Sequence, residues 1–285
     1  WGGLNDATRN QEFTMGSAPS DYTFGGILGT QEINTRASIY RKGTRISMSG
    51  TNTNYSWRSM GTYASGMNKE GWAFVVSGSR RWAQEGYFEG SDYSANSLFA
   101  SVEKKFNEKH SLNFTSIFAQ NSRGKTSPNT NEVNDIKGVK YNSYWGWQNG
   151  RKRNSRDKDI EEPINMLTHY WKMSDKTTLN TTVAYQVGFV GNSRIDYQNA
   201  NSPDPTYYKN LPSYFLNDPL NYVTVDGVTT NPLADIAKSN FVNNGQIDWN
   251  AMYLANQNSV NAGKSVYALY EDRTDDKQYS ANTIL

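Results

Sequence analysis

Apolar and polar side chains alternate along much of the chain with a period of two residues. The pattern is clearest in residues 179–189, where odd-numbered positions are mainly apolar and even-numbered positions are small or polar. Successive side chains of a β-strand point to opposite sides of a sheet, so this alternation predicts a strand with one apolar and one polar face. A length of about ten residues also suits a tilted strand that crosses a membrane. The apolar positions are Leu179, Val183, Tyr185, Val187 and Phe189.

Shorter segments of the same kind follow one another from residue 44 onward and predict about seven strands. The segment at 57–67 alternates weakly, and we predict it mainly from its position between two turns. Each clearer segment has one face rich in aromatic and aliphatic side chains, for which we predict contact with lipid. Besides the positions in residues 179–189, the predicted lipid-facing residues are Trp72, Phe74, Val76, Phe106, Leu112, Phe114 and Trp171.

The connections between these strands alternate in length. Tight polar turns are predicted at residues 68–71, 107–110 and 174–177, whereas the links at 83–94, 122–165 and 191–285 are long. Short turns at one rim and long loops at the other are typical of outer-membrane β-barrels, whose short turns face the periplasm. A β-sandwich shows no such asymmetry. We therefore predict an all-β fold, a transmembrane antiparallel β-barrel of the bacterial outer membrane with extracellular long loops.

Aromatic residues close to the short turns favour the same topology. Trp72, Phe106 and Trp171 each lie within a few residues of a predicted turn. Aromatic rings at the membrane–water interface form girdles around such barrels. The alternative is that these rings cap the core edge of a soluble sheet.

Composition narrows the class of protein further. Only 36% of the residues are hydrophobic, yet 13% are aromatic, with 19 Tyr and 8 Trp. This aromatic content argues against disorder, and a polar remainder suits a barrel because only its lipid face must be apolar. No apolar stretch is long enough to predict a transmembrane helix. The chain begins at Trp1 without a signal peptide, so we expect a mature or cleaved segment, or a piece of a longer polypeptide.

Charge and titratable residues give little support to catalysis. The net charge of +2 shows no bias toward nucleic acid, and the absence of Cys excludes disulfides and Cys-based metal or redox chemistry. We expect His110 and His169 to be turn or interfacial residues. Four carboxylates that are close to one another in the sequence offer oxygen ligands for a structural Ca²⁺. Adjacent basic residues and Pro163 favour salt bridges within an ordered loop instead. We predict no cofactor, no metal and no enzyme activity. The four carboxylates are Asp157, Asp159, Glu161 and Glu162.

Two of the long links carry aromatic residues suited to ligand contact. Tyrosine and tryptophan rings stack on sugars and peptides, and neighbouring amides form hydrogen bonds with them. The alternative is that these rings anchor the loops against the barrel wall. The predicted substrate-binding residues are Tyr141, Tyr144, Trp145, Trp147, Gln148, Tyr207 and Tyr208.

Residues 22–43 differ from the membrane-strand pattern. They contain Gly25-Gly26, Ile33-Asn34 and Arg41-Lys42-Gly43, directly before the first predicted barrel strand. This stretch resembles the plug-to-barrel junction of TonB-dependent outer-membrane transporters, where a Gly-rich turn precedes an Ile-Asn-containing strand and a basic-Gly step leads into the barrel. Residues 71–74, 79–82, 144–150, 153–156 and 203–208 resemble members of this family from Bacteroidota.

The resemblance implies two domains. Residues 1–43 are then the C-terminal part of a plug domain, and residues 44–285 are the first strands of the barrel with its long loops. About seven strands of an expected 22 are present, so we expect an incomplete barrel. Arg36 and Arg41 are predicted to form contacts between plug and barrel, because a polar lumen tolerates charge.

The resemblance also implies TonB-dependent uptake of a glycan, peptide, metal chelate or vitamin across the outer membrane. The implied partners are outer-membrane lipid, TonB through a part of the protein before Trp1, and a surface lipoprotein or another subunit of an envelope complex. Two other readings stay open. One is a non-transporting barrel that serves as a scaffold or as a subunit of a secretion or assembly complex, and the other is a secreted β-sandwich adhesin.

Overall fold

About half of the described residues (49%) lie in β-strands, and a few short helices lie in the loops. The computed structural model describes residues 4, 7–8, 10–18, 27–198, 200–258 and 264–285. The strands are β1 (Gln11–Met15), β2 (Gly29–Ile33), β3 (Gly43–Gly50), β4 (Trp57–Ala64), β5 (Trp72–Ala83), β6 (Tyr93–Lys105), β7 (His110–Gly124), β8 (Trp145–Gln148), β9 (Arg151–Asn154), β10 (Asp157–Glu161), β11 (Ile164–Lys172), β12 (Thr178–Asp196), β13 (Val223–Val225), β14 (Val228–Thr230) and β15 (Ala268–Ile284). The helices are α1 (Asn131–Lys137), α2 (Pro212–Leu216), α3 (Pro232–Asn244) and α4 (Trp249–Gln257), with 3-10 turns at Ala37–Ile39, Tyr208–Asn210 and Pro219–Asn221.

One large antiparallel sheet forms the frame of the molecule. Its strands follow one another in the order β3, β4, β5, β6, β7, β11, β12 and β15. Strand β10 also lies between β7 and β12, so β10 and β11 act as one long strand interrupted at Glu162 and Pro163. Proline cannot donate a ladder hydrogen bond, which explains the interruption. The seven segments predicted as strands correspond to β3–β7, β11 and β12.

Strand β15 corrects the prediction of one long loop over residues 191–285. It pairs with β12 along its whole length, from Ala268 opposite Asp196 to Ile284 opposite Asn180. Its side chains are exposed and charged on both faces, so it has no apolar alternation by which to be recognised. Cross-strand pairs fix its register: the Arg194 Nε lies 3.2 Å from a carboxylate oxygen of Asp272, and the Tyr185 and Tyr279 ring centroids are 4.9 Å apart.

The predicted loop at 122–165 needs a similar correction. Strand β7 continues to Gly124, and β10 rejoins the large sheet at Asp157. Residues between them contain α1 and the small β8–β9 hairpin. Residues 157–161 carry four charged side chains and one apolar side chain, so no apolar alternation separates this strand from a charged loop.

Connections of two kinds define the two ends of the large sheet. At one end, which we name the short-turn rim, residues 65–71, 106–109 and 173–177 join neighbouring strands. The Asn68 Oδ1 accepts backbone hydrogen bonds from Glu70 and Trp72, and the Asn107 Oδ1 accepts them from Lys109 and His110. At the other end, the long-loop rim, the links are residues 51–56, 84–92, 125–156 and 197–267.

Described residues of the N-terminal segment cover part of one side of the sheet, which we name the inner face. Leu4, Ala7, Ala37 and Tyr40 are buried against residues of β5, β6 and β7, among them Phe99. The Tyr40 hydroxyl donates to the Ala7 carbonyl oxygen at 2.5 Å, which ties the two parts of this segment together. Other inner-face residues are small or polar and buried: Ala73, Ser77, Ser101, Asn113 and Thr115. Gly25 and Gly26 lie outside the described residues.

The opposite side, the outer face, carries a row of exposed apolar side chains. Phe74 is paired with Val102, Val102 with Phe114, Phe114 with Leu167, and Leu167 with Val183 across five neighbouring strands. The residues predicted to face lipid lie on this face, apart from Phe106, which is exposed in a short turn. Their contact with lipid stays a prediction. No helix in the described part of the chain is long and apolar enough to span a bilayer.

Close backbone approach at Gly188 provides a test of the join between β10 and β11. A Cβ at this position would lie 2.0 Å from the Glu161 carbonyl oxygen and 2.7 Å from the Glu162 Cα. We expect Gly188→Ala to lower the free energy of unfolding by about 1–3 kcal/mol because the backbone must shift. Urea unfolding in detergent micelles measures this loss. Gly78→Ala is the matched control, because its Cβ would meet only Leu98 Cδ2 at 3.5 Å. An equal loss in both variants would contradict the described join.

Candidate functional site

A cluster of polar contacts fastens the N-terminal segment to the inner face, and we name it the latch. It joins residues 35–38 to Ser101, Glu103, Ser111 and Asn113. The Arg36 Nε and Nη2 donate to the Glu103 Oε1 at 2.9 and 2.6 Å, and the Ser38 backbone N–H donates to its Oε2 at 3.1 Å. Both carboxylate oxygens therefore have partners.

Side chains of the inner face also form hydrogen bonds with backbone groups of the N-terminal segment. The Asn113 Oδ1 accepts a hydrogen bond from the Ala37 N–H at 3.0 Å, and the Ser101 hydroxyl donates to the Thr35 carbonyl oxygen at 2.7 Å. The Thr35 and Thr115 hydroxyls lie 3.3 Å apart. A 3-10 turn leaves backbone groups without ladder partners, and buried groups of this kind must be satisfied elsewhere. Side chains of β6 and β7 supply those partners.

Charge makes Arg36 indispensable to this arrangement. Glu103 is 0% exposed, and burial of an unpaired carboxylate costs several kcal/mol. Arg36 neutralises it, donates to the Ser111 hydroxyl at 3.0 Å and lies over the Tyr170 ring at 4.1 Å from its centroid. The sequence indicated Arg36 but missed Glu103 as its partner. One sequence feature could have identified this partner: Glu103 is a single carboxylate among the small side chains of the inner face.

Arg41 does not have the contact that was predicted for it. It is exposed between the 3-10 turn and β3, and the described part of the chain offers no acidic partner to its side chain. The chain leaves the inner face after Tyr40, so the Arg41 side chain is exposed to solvent instead of lying against that face.

The long-loop rim has cores of its own, which changes the interpretation of two predicted ligand residues. Tyr141 is 1% exposed, its hydroxyl donates to the Gly245 carbonyl oxygen at 2.7 Å, and its ring packs edge-on against Phe241. Burial raises the pKa of the Tyr141 hydroxyl. Trp145 is buried beside Gly90, where a Cβ would lie 2.1 Å from the indole ring. Both rings join separate loops to each other and are inaccessible to a ligand.

A polar basin with a volume of about 620 Å³ lies near Trp145, whose ring centroid is 4.5 Å from the Nζ of the basin residue Lys152. We name it the β9 basin, since three successive cations of that strand line it. Trp147 is exposed nearby, with its ring centroid 5.6 Å from that of Trp145. The residues of the β9 basin used below are Gln148, Arg151, Lys152, Arg153, Asp92 and Asp157.

Arg153 and Tyr253 extend the basin beyond the predicted residues. The Tyr253 hydroxyl accepts hydrogen bonds from the Gln148 Nε2 at 2.8 Å and the Arg153 Nη1 at 3.2 Å. These two hydrogen bonds lower the pKa of Tyr253. Arg153 also lies over the Trp249 ring, 4.2 Å from its centroid. Helix α4, which begins at the Asp248 cap, positions both aromatic residues.

The other predicted ligand residues do not join the basin. Tyr144 lies under the Arg156 guanidinium, 4.7 Å from its ring centroid. Tyr207 and Tyr208 begin a separate row of rings that continues to Tyr214 and Phe215, with centroid spacings of 4.8, 5.6 and 5.2 Å. Tyr208 and Tyr214 are the exposed members of this row. The long-loop rim therefore presents two aromatic surfaces.

The predicted acidic cluster lies in a strand, where it was expected in a loop. Asp157, Asp159 and Glu161 belong to β10. No group of three or more His, Asp or Glu side chains in the described residues is arranged to hold a metal ion. Burial, together with the nearby carboxylates of Asp92 and Asp159, raises the pKa of Asp157 to about 7. Asp157 lies at the long-loop rim, beyond the level of the exposed Trp57 and Trp82.

The two histidines meet on the outer face at the short-turn rim. The His110 Nδ1 and the His169 Nε2 are 3.1 Å apart, and the ring planes differ by 2°. One ring donates and the other accepts. The Trp171 centroid lies 5.5 Å from that of His110. Sequence reasoning expected separate turn and interfacial residues and did not predict this contact.

Comparison with known proteins leaves the family of the chain open. No protein-family model and no curated protein matches it. The crystal structure of the siderophore receptor PiuA from Acinetobacter baumannii is similar to it with a TM-score of 0.47 and 15% sequence identity. The match covers 66% of this chain and 27% of the receptor chain, so this chain spans about a quarter of that receptor's length.

The latch predicts a difference between two arginines of the same segment. Arg36→Met leaves Glu103 buried without a counter-charge, so we expect a loss of about 3 kcal/mol in the free energy of unfolding. Arg41→Met removes an exposed, unpaired cation and should change it by less than about 0.5 kcal/mol. Urea unfolding of the full chain in detergent measures both. In the double variant Arg36→Met, Glu103→Gln, most of the loss should be recovered. Equal effects of the two single variants would show that the ion pair is not what holds the segment.

Proposed function

We propose that this chain belongs to an outer-membrane transporter in which the sheet is part of a barrel wall and residues 1–43 are the end of a plug. The observation that supports this most is an inverted distribution of side chains. On the outer face Val76, Leu98 and Phe114 are 51, 58 and 45% exposed, while Glu103 on the inner face is fully buried. Water-soluble proteins bury apolar side chains and expose charged ones, whereas a barrel wall places apolar side chains toward lipid.

Uptake requires a closed path that opens under control. In this proposal the latch holds the plug segment against the wall, and the long-loop rim receives the solute from outside. Opening must separate Arg36 from Glu103 or move them together. We propose that TonB, acting on a part of the protein before Trp1, supplies the energy for this movement. The proposal assigns no catalytic role to the chain.

Two surfaces of the long-loop rim suit solute capture. The β9 basin is lined by Gln148 and the cations of β9, with the exposed Trp147 ring on the same hairpin, and the exposed rings of Tyr208 and Tyr214 form a second surface. Rings and amides of this kind bind glycans and peptides. We propose a glycan, a peptide or a metal chelate as the transported solute, and a Bacteroidota-type surface lipoprotein as a candidate partner.

Membrane placement can be tested on the two faces of β12. Val183 and Val187 lie on the outer face, and Gln186 lies on the inner face. We expect Val183→Arg or Val187→Arg to impair assembly into the outer membrane, at a cost of about 2–4 kcal/mol near the bilayer midplane. Gln186→Arg adds the same charge to the polar face and should be tolerated. Fractionation and folded yield measure the outcome, and similar damage from all three variants would remove the distinction between the faces.

The transport role can be tested by locking the latch. The chain has no Cys, so Thr35→Cys with Thr115→Cys places one thiol pair where the two hydroxyls now lie 3.3 Å apart. We expect oxidation to stop uptake of labelled oligosaccharide, oligopeptide and ferric chelate by cells, and reduction to restore it. Thr62→Cys with Ser77→Cys is the matched control, since these hydroxyls are 2.7 Å apart between neighbouring strands of the wall. Uptake unaffected by an oxidised latch would favour a non-transporting scaffold.

A further inference from the structure

Each of the three short turns carries an aromatic ring on or beside the outer face. Trp72 follows the first turn and is 43% exposed, Phe106 opens the second and is 61% exposed, and Trp171 precedes the third. Lys104 reaches along the first ring, with its Nζ 4.7 Å from the Trp72 centroid, and donates to the Glu70 carbonyl oxygen. An aromatic ring near the turn therefore recurs at three neighbouring hairpins, and the lysine contact is seen at the first of them.

The same rim holds a surplus of positive charge. Residues 65–71, 104–110 and 172–177 contain six Lys and three acidic residues, an excess of three positive charges in a chain whose total net charge is +2. Two of these lysines are neutralised locally, because Lys105 pairs with Glu108 and Lys172 pairs with Asp175, each at 2.8 Å.

One exposed lysine in each turn is left without such a partner. The side chains of Lys69, Lys109 and Lys176 have no acidic partner in the described part of the chain. Each stands a few residues from an aromatic ring of the same hairpin. Three unpaired ammonium groups at the level of three interfacial rings are complementary to a layer of negative charge above hydrocarbon.

We infer that the short-turn rim binds anionic phospholipid headgroups through Lys69, Lys109 and Lys176. The phosphates lie between the ammonium groups, and the adjoining acyl chains contact Trp72, Phe106 and Trp171. Lysine side chains extend toward headgroups while their stems cover apolar surface, and aromatic rings prefer the same depth. Basic residues near a membrane surface attract anionic lipid. This inference rests on the membrane placement in the proposed function, but it does not depend on transport.

The test uses the full chain, folded in a neutral detergent and titrated with short-chain phosphatidylglycerol or short-chain phosphatidylcholine. Native mass spectrometry counts the bound lipid. We expect phosphatidylglycerol to bind at least about tenfold more tightly, because each lysine near the surface contributes roughly fivefold. The triple variant Lys69→Gln, Lys109→Gln, Lys176→Gln should lose this preference and retain the binding of phosphatidylcholine.

The control removes the same charge at the other rim. Lys140→Gln, Lys209→Gln, Lys238→Gln changes three exposed lysines of the long loops and should keep the preference for phosphatidylglycerol. Equal binding of the two lipids by the unaltered chain, or the same loss in both triple variants, would overturn the headgroup site and leave the membrane placement intact. Binding of neither lipid, together with a chain that stays soluble without detergent, would overturn both.

Discussion

The buried carboxylate of Glu103 is the constraint on which the rest of the arrangement depends. A charge with no exposure to water needs a counter-charge and a full set of hydrogen bonds. The wall cannot supply both, so Arg36 and the Ser38 backbone do. This requirement fixes where residues 35–38 cross the sheet and keeps small side chains such as Ser101 beside them. Residues 35–38, together with Leu4, Ala7 and Tyr40, are therefore an integral part of the inner face.

A polar inner face has consequences for the whole sheet. Most of the apolar surface of β5, β6 and β7 is left on the outer face, where Phe74, Leu98 and Phe114 remain exposed. In water these rows would form a large apolar patch, which monomeric soluble proteins rarely expose. The membrane placement that we propose would cover this outer face with apolar groups, while the latch satisfies the polar inner face. The short turns support this, because each places an aromatic ring and a lysine at the boundary of that face.

The sequence predicted elements whose signal is local, and it failed where the determining contact is distant. Alternation identified β5, β6, β7 and β12, and Asn68 and Asn107 marked two turns that their side chains do cap. Strand β15 was not predicted, because its charged residues form no apolar face and only its pairing with β12 defines it as a strand. Glu103 was not predicted as the partner of Arg36, because the two residues lie 67 positions apart in the chain. Tyr141 and Trp145 were predicted to bind a ligand. The sequence alone does not distinguish an aromatic ring buried in the core of a loop from one exposed in a binding site.

That last distinction bears on the solute capture that we propose for the long-loop rim. The Tyr141 hydroxyl, bonded to Gly245, joins residues 125–156 to residues 232–249, and Trp145, packed on Gly90, joins them to residues 84–92. A preorganised surface loses little conformational entropy on binding. In the β9 basin, Arg153 is engaged by Trp249, Gln148 and Tyr253, and Lys152 pairs with Glu85. Ordered cations of this kind set the orientation of polar groups on a ligand, while the exposed Trp147 offers a ring face. In the proposed transporter, selectivity at this rim would come from these fixed side chains, and the movement needed for passage would be left to the latch.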